Sequence, residues 1–304
     1  MALRAISPKN PLMAFVPQIF DRSLARRRLA RAFAAGCEDF LLPRAAGDIA
    51  ERLSTINREF RAVLDIGTPS PRLASLLAER LTPPLLVRIA PPETIGADGS
   101  FLRAAGDEEH LPLAPERFDL AVSALALQSL NDVPGTLIQI RRALKPDGLF
   151  IGCLLGGQSL IELRKSLAAA ESEISGGVSP RVAPFADVRD MGGLLQRAGF
   201  ALPVADSEPV TVRYANLFGL MRDLRAMGAT NSLASRLRKP ATKRFFMRAA
   251  QIYADQFSDP DGRVRATFEM IFISGWAPHE SQQKPLRPGS AKARLADALR
   301  PKRV

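Results

Sequence analysis

Cysteine and histidine are scarce in this chain. It has two of each in 304 residues, and Cys37 and Cys153 lie far apart in apolar or helical patterns. This spacing excludes a disulfide framework and offers no arrangement of metal ligands. We therefore predict that the protein binds no metal and works in a reducing compartment.

Long uninterrupted apolar runs are also missing. No run reaches the roughly 18 to 20 residues that a membrane-spanning helix requires. The first segment of the chain is interrupted by Pro8, Pro11 and Pro17, so it lacks the continuous apolar stretch of a secretory signal. These absences predict a cytoplasmic protein without a transmembrane segment.

Acidic residues are outnumbered by basic ones. The chain has 42 lysines and arginines against 31 aspartates and glutamates, a net charge of +11. The basic residues gather in segments 22–31, 236–244 and 284–303, which could contact nucleic acid or anionic lipid. Few aromatic side chains are interleaved for stacking on bases, so we interpret these segments as solvated helix faces and a loose tail. A nucleic-acid partner is not expected.

Apolar patterns divide the chain into a helical start and an alternating core. Residues 20–58 have helical periodicity that is broken around Pro43, which predicts an N-terminal helical segment over 1–60. Short apolar runs then alternate with helical patterns. The predicted strands are 61–67, 85–90, 101–106, 118–127 and 149–155, and the predicted helices are 71–81 and 132–144. Because these strands lack polar alternation, they indicate a doubly wound parallel sheet covered on both faces.

The pattern changes after Gly157, where helices are inserted before the last strands. The predicted helices are 158–174, 187–198 and 216–257, the last with a basic break at Lys239 and Pro240. The predicted strands are 204–214 and 264–276, the last being an edge or antiparallel strand. We predict one domain over 61–282, with helical cap insertions at about 157–185 and 215–258, and a flexible basic tail over 283–304. Inserted helices of this kind could cap the carboxyl ends of the sheet, where such folds bind ligands.

Several motifs along the chain resemble one known family. They are VLDIG (63–67), GDEEHLPL (106–113), FDLAVSALALQSLND (118–132), ALKPDGLFIG (143–152), GGQSLIELRKSLAAAE (156–171), SPRVAPF (179–185), LLQRAGF (194–200) and GWAPHESQ (275–282). This series resembles the class I S-adenosylmethionine-dependent methyltransferase-like family, which includes a mitochondrial arginine hydroxylase that assists complex I assembly. A more distant resemblance is to the enzyme of biotin synthesis that methylates a malonyl group on acyl carrier protein.

The resemblance implies a Rossmann-like fold, with a seven-stranded, mostly parallel sheet. It also implies S-adenosylmethionine as the cofactor, and a protein substrate or a respiratory complex subunit as the partner. By the same resemblance, Asp65, Gly67 and Asp107 are the cofactor-binding residues, with Asp107 facing the adenine amine.

The loop after the first strand departs from the family pattern. Glycines normally let the backbone approach the cofactor there, but this chain has Pro69 and Pro71 at two glycine positions. Proline fixes φ, adds bulk and removes an amide donor. The acidic residue that would accept the ribose hydroxyls is replaced by Arg88, which has only donors. We expect Arg88 to be a surface residue, with phosphate recognition as the alternative.

The substrate side departs from the pattern as well. Gln128 and Ser129 stand where the family often has a histidine and an aromatic residue, so a general base is missing there and no catalytic residue is assigned. By position in the matching motifs, Glu162, Arg164 and His279 are candidate substrate contacts.

Two functions from different classes follow from these observations. The first is an enzyme that uses S-adenosylmethionine on a protein or carrier-bound substrate. The second is a non-catalytic relative that has lost the cofactor and binds a protein partner during respiratory complex assembly. Nucleic-acid methylation or binding is supported only by net charge. The sequence does not indicate an oligomeric state.

Overall fold

All the regular strands belong to one sheet. A computed structural model describes residues 17–37, 39–95 and 101–283. The strands are β1 (Ala62–Ile66), β2 (Leu85–Ala90), β3 (Leu102–Ala105), β4 (Phe118–Ala124), β5 (Leu144–Leu155), β6 (Ala201–Tyr214) and β7 (Val264–Trp276). Their order is β3-β2-β1-β4-β5-β7-β6, and β7 alone runs antiparallel to its neighbours. The predicted seven-stranded, mostly parallel α/β sheet is confirmed.

Helices cover both faces of this sheet. They are α1 (Arg22–Ala34), α2 (Leu41–Ser54), α3 (Arg72–Leu81), α4 (Val133–Ala143), α5 (Ile161–Ser175), α6 (Val188–Arg197), α7 (Leu217–Ala226) and α8 (Lys243–Phe257). One core cluster joins α2, α3, α5, α7 and α8 to the sheet, and a second joins α4 and α6 to its other face. Every residue of β1 is buried, which explains why the strand lacks polar alternation and has Asp65 as its one charged residue.

The N-terminal segment differs from its predicted form. We expected the helix to break around Pro43, but the interruption lies before α2, and Pro43 is the third residue of that helix. Proline is tolerated in a first helical turn because the amide it lacks would have no partner within the helix. Residues 1–16, at the start of this segment, lie outside the described residues.

The inserted helices also differ in detail from the prediction. The break predicted at Lys239 and Pro240 is present but longer than expected, because an irregular segment at 227–242 separates α7 from α8. Strand β7 is antiparallel, as one of the two alternatives predicted, but it lies inside the sheet because β6 forms the edge. The predicted turn at 145–148 belongs to β5, where Asp147 has a φ of 61°.

Within residues 17–37, 39–95 and 101–283, no helix is both long enough and apolar enough to cross a membrane. The same residues contain no group of histidine, cysteine and carboxylate side chains that could hold a metal ion. Residues 284–304, which make up nearly all of the predicted basic tail, lie outside the described residues.

Candidate functional site

A cavity of about 450 Å³ opens at the carboxyl ends of the parallel strands. The strand order reverses between β1 and β4, and sheets of this type bind ligands at such a point. The floor of the cavity comes from the loops after the strands: Gly67, Pro69, Pro91, Glu108, Leu125, Ala126 and Leu155. Its walls come from α1, α5, α7, the segment 181–185 and the segment 227–233. The cavity therefore lies where the inserted helices meet the generic fold.

Gly67, a predicted cofactor-binding residue, lies on the cavity floor with a φ of 68°. A Cβ atom added there would lie 2.6 Å from Cγ of Glu108 and 3.1 Å from Cβ of Ala126. Glycine is thus required both by the backbone conformation and by close packing. The close approach is made by Glu108, a residue of this chain.

Asp65, the second predicted cofactor residue, lies beneath the floor in a buried pair with Arg88. Both side chains are completely buried, and Nη1 of Arg88 is 3.3 Å from Oδ2 of Asp65. Nη2 of Arg88 donates to the carbonyl oxygens of Thr68, at 2.8 Å, and Thr94, at 2.7 Å. The hydroxyl of Thr68 donates to the other oxygen of Asp65. The prediction that Arg88 is a surface residue is wrong, because the loop after β1 folds around its guanidinium.

The Asp65–Arg88 pair is electrostatically costly. Burial raises the pKa of Asp65 to about 6, against the opposing influence of Arg88 and Thr68. Burial also lowers the pKa of Arg88. Nε of Arg88 has no hydrogen-bond partner among the described residues. The guanidinium therefore ties the loop after β1 to the loop after β2 at a considerable desolvation cost.

Asp107, the third predicted cofactor residue, belongs to an acidic cluster beside the cavity. Arg22 of α1 contacts all three carboxylates of this cluster, at 2.5 Å from Asp107, 2.5 Å from Glu108 and 2.8 Å from Glu109. Arg26, one turn later, is 3.0 Å from Asp107. These ion pairs hold α1 over the site, and they occupy the carboxylate that the family pattern assigns to the cofactor.

Two polar residues after β4 line the cavity, as the family pattern places them. Nε2 of Gln128 donates to the carbonyl of Leu125 at 2.7 Å, which fixes the orientation of its amide. Oε1 of Gln128 is buried and has no donor among the described residues. A buried acceptor without a donor costs about 1–3 kcal/mol, so this atom favours a ligand that can donate a hydrogen bond. Ser129 donates to the carbonyl of Ala126.

The predicted substrate contacts do not line the cavity. Glu162 is buried and accepts hydrogen bonds from the amide and hydroxyl of Thr267, which join α5 to β7. Arg164 donates to the carbonyl of Ala183 at 2.8 Å and so supports the wall segment 181–185. Both residues hold elements that form the cavity.

His279 is far from the position expected for it. It is exposed after β7, and its Nδ1 lies 2.7 Å from Oγ of Ser281. Because β7 is antiparallel to β5 and Trp276 pairs with Leu149 near the start of that strand, this end of β7 lies at the amino edge of the sheet. The structure corrects the expectation that His279 faces the cavity, which is at the opposite edge.

The residues that sequence reasoning missed are Arg22, Arg26 and Glu108. The signal was present as a basic run over 22–31 and an acidic run over 107–109. Complementary charge suggests pairing, but many basic segments of this chain could have met the acidic run. The tertiary fold decides that α1 is the segment that pairs with the acidic run.

Acid is expected to weaken the attachment of α1. Partial burial would raise the pKa of Asp107, but hydrogen bonds from Arg22 and the amide of Glu109 outweigh it and lower the pKa to about 2. A carboxyl with a depressed pKa contributes stability that is present above its unfolded pKa of 3.8 and lost as pH falls through 2. The melting temperature of wild-type protein should therefore exceed that of Asp107→Asn near pH 5, and this difference should disappear as the pH falls to about 2.

The exposed Asp255 of α8 provides the control for this measurement. Asp255→Asn should parallel wild type over the same acid range. A difference between wild type and Asp107→Asn that stays constant on acidification would contradict the assignment.

Comparison with known proteins agrees with this architecture. A family model described as a methyltransferase domain matches residues 40–203. Mitochondrial arginine-hydroxylase NDUFAF5 of Danio rerio is 37% identical over 286 residues, covering 92% of this chain and 89% of that protein. The Homo sapiens protein of the same name is 36% identical, with coverages of 94% and 85%. Malonyl-(acyl-carrier protein) O-methyltransferase of Laribacter hongkongensis is 33% identical, with coverages of 88% and 94%.

Solved structures support the fold alone. A proposed methyltransferase from Bacillus halodurans superposes with a TM-score of 0.54 at 16% identity, covering 77% of this chain and 100% of that chain. The YcgJ protein of a Bacillus species gives a TM-score of 0.53 at 14% identity, with coverages of 76% and 97%. At such low identity the similarity concerns the backbone arrangement.

The relatives also correct the predicted location and establish the family. The NDUFAF5 proteins of Danio rerio, Rattus norvegicus and Homo sapiens are all named as mitochondrial, and they point to mitochondria instead of the cytoplasm. The prediction of a cytoplasmic protein, made from the absence of a secretory signal, is therefore wrong. The chain belongs to the class I methyltransferase family, together with the arginine-hydroxylase NDUFAF5 proteins.

Proposed function

We propose that this chain assists the assembly of a respiratory complex by holding a polypeptide segment of one of its subunits in the cavity. The observation that carries the proposal is the cavity of about 450 Å³, whose walls are helices and loops that lie outside the alternating β/α part of the chain. Concave sites with apolar walls and a few oriented polar groups are typical of ligand binding. The relatives named arginine-hydroxylases support a substrate that presents an arginine.

The polar groups of the cavity suit an arginine side chain in that segment. Oε1 of Gln128 is a buried acceptor to which no described residue donates, and the Glu108 carboxylate lies on the same floor. A guanidinium has five donors and no acceptor, so it can donate to Oε1 of Gln128 and share the Glu108 carboxylate with Arg22, while its alkyl stem packs on apolar walls. Leu160 and Leu163 of the cap supply such walls.

S-adenosylmethionine, the cofactor implied by the family, does not fit these residues in the family's manner. The carboxylate of Asp65 and the carbonyl of Thr68 are engaged by Arg88. Glu108 packs against Gly67 where backbone should approach the ligand. Pro69 removes one amide from the loop. We therefore propose that the cofactor motif is degenerate and that the segment binds without the cofactor.

Titration with S-adenosylmethionine tests the cofactor part of the proposal. Isothermal titration of wild-type protein with S-adenosylmethionine or S-adenosylhomocysteine is expected to give no binding heat, because the loop acceptors are already used by Arg88. The variant with Pro69→Gly, Pro71→Gly and Arg88→Asp restores the family residues, and Pro69→Gly with Pro71→Gly alone is its control. Micromolar binding to the wild-type protein would overturn this part.

Blocking the cavity tests the assembly role. Met221 of α7 lines the cavity, whereas Met247 of α8 is 53% exposed outside it. In cells whose copy of the gene is deleted, Met221→Trp is expected to restore less than about a tenth of the assembled complex, since the indole fills space needed by the segment. Met247→Trp should restore it fully. The readout is the amount of complex on native gels and its NADH-oxidising activity.

Both variants should have the melting temperature of wild type, because neither methionine is fully buried. Full restoration by Met221→Trp would contradict the proposal that the cavity holds the segment.

A further inference from the structure

Two basic segments that are distant in sequence meet at the mouth of the cavity. Asp21, just before α1, accepts a hydrogen bond from Arg236 at 3.1 Å, and its amide donates to the carbonyl of Ser232 at 2.8 Å. Phe20 and Leu233 form an antiparallel bridge. The start of α1 is thereby fastened to segment 227–242, which also forms part of the cavity wall.

This junction concentrates positive charge. We use the term basic rim for Arg27, Arg28, Arg31, Arg225 and Arg236. Asp21 is the carboxylate that pairs with the rim, through Arg236. The other four arginines make no ion pair with any residue that the structure describes. The rim therefore carries uncompensated charge, unlike the inner face of α1.

Arg28 shows the electrostatic cost of this arrangement. Its Nη1 donates to the carbonyl of Asn231, a neutral acceptor. Partial burial, followed by the nearby charges of Arg236 and Arg31, lowers the pKa of Arg28. An anion placed beside these side chains would relieve both the desolvation and the repulsion.

The rim is continuous with the cavity. Arg28 and Arg225 both line it, so a chain that enters the cavity passes over them. We infer that the segment bound in the cavity carries acidic residues beside its target residue, and that the basic rim binds their carboxylates. This inference rests on the proposed function, and it adds the charge of the substrate segment.

The geometry favours a polypeptide over a lipid surface as the source of the anions. Two of the cations, Arg28 and Arg225, line a concave site, and an extended chain can place one residue inside while its neighbours contact the rim. Electrostatic attraction of exposed charges is effective over about 8–10 Å at physiological salt, which spans roughly three residues of extended chain. An anionic membrane remains the alternative that the test must separate, since Ile19 and Leu237 near the rim are exposed.

Synthetic peptides test the inference directly. The probes have one central arginine flanked by glutamates, glutamines or lysines, and binding to full-length protein is measured by fluorescence anisotropy. The glutamate-flanked peptide is expected to bind about tenfold more tightly than the glutamine-flanked peptide, with an advantage that shrinks in salt. The two rim residues that line the cavity, Arg28 and Arg225, are then reversed together to glutamate, which should remove the difference in affinity between the two peptides.

The matched control reverses Arg80 and Arg142, which are exposed in the last turns of α3 and α4, away from the cavity. This control has the same net charge and should keep the preference. Peptide binding that is insensitive to flanking charge, or no binding of the glutamate-flanked peptide, would overturn the inference. Vesicles that contain phosphatidylglycerol test the membrane alternative. If they bind through the rim while peptide binding does not depend on flanking charge, the inference is overturned and the rim is assigned to a membrane. The Met221→Trp complementation decides the proposed function separately.

Discussion

Replacing Arg88 with methionine is expected to lower the free energy of unfolding by about 3–5 kcal/mol at neutral pH, as removal of one partner from a buried ion pair does. The change leaves the buried carboxylate of Asp65 without its cation. It also leaves the carbonyl oxygens of Thr68 and Thr94 without their shared donor. Urea unfolding followed by circular dichroism measures the effect.

The pH dependence identifies the cause of that loss. The folded-state pKa of Asp65 is already raised to about 6 by burial, so the folded protein binds a proton there more readily than the unfolded chain does. The folded protein therefore becomes more stable as pH falls from the folded-state pKa of Asp65 toward its unfolded-state pKa. Removing Arg88 raises the folded-state pKa further, so the variant gains more stability than wild type over this range. The deficit of Arg88→Met should therefore shrink between about pH 8 and pH 5.

Two controls accompany the Arg88 variant. Arg80→Met removes an exposed arginine from α3 and should change stability by less than about 0.5 kcal/mol. Asp65→Asn combined with Arg88→Met should recover part of the loss, because no buried charge remains. An equal deficit at both pH values would show that lost packing, and not the unpaired carboxylate, dominates.

Replacing Arg22 with methionine should detach α1 from the site. In this variant the adjacent carboxylates of Asp107, Glu108 and Glu109 lose Arg22. Arg26 is then their only remaining partner on α1. Arg22 retains some solvent exposure, so we expect a loss of about 2–3 kcal/mol, below that of a fully buried pair. Amide hydrogen exchange should accelerate through α1 while the strands β1 and β4 stay protected.

Arg31→Met provides the comparison within the same helix. Arg31 is exposed and forms no ion pair with a described residue, so its replacement should leave exchange in α1 nearly unchanged. If both variants accelerate exchange equally, helix propensity would be responsible, and the acidic cluster would not be what holds α1.

The generic part of the fold could be predicted because its signals are local. The buried run of β1 needs no partner to be recognised, since a short apolar stretch between turn residues is itself typical of a parallel strand. Boundaries were less accurate. The break before α2 was assigned to Pro43, because proline is an obvious helix breaker and its tolerance in a first turn depends on where the helix begins.

The site could be predicted only in part because its pairings are tertiary. The prolines at 69 and 71 show that the loop has changed, but they do not show that Arg88 points inward onto Asp65. Burial of an arginine is rare enough that a surface position is the better expectation from sequence. The prediction for His279 is wrong for a related reason. Its motif predicts a role, but the direction of β7 decides at which edge of the sheet the residue lies.

The attachment of α1 has a consequence for the order of folding. Its partners in the acidic cluster lie 85 to 87 residues later in the chain, and Arg236 lies 215 residues after Asp21. Contacts of such long range form late, because chain-closure entropy must be overcome before they contribute. Helix α1 leaves the ribosome before the other elements that the structure describes, yet it is the last wall of the cavity to be placed. We expect nascent chains arrested before Ser232 to bind no substrate peptide, a result that ribosome-bound intermediates can test.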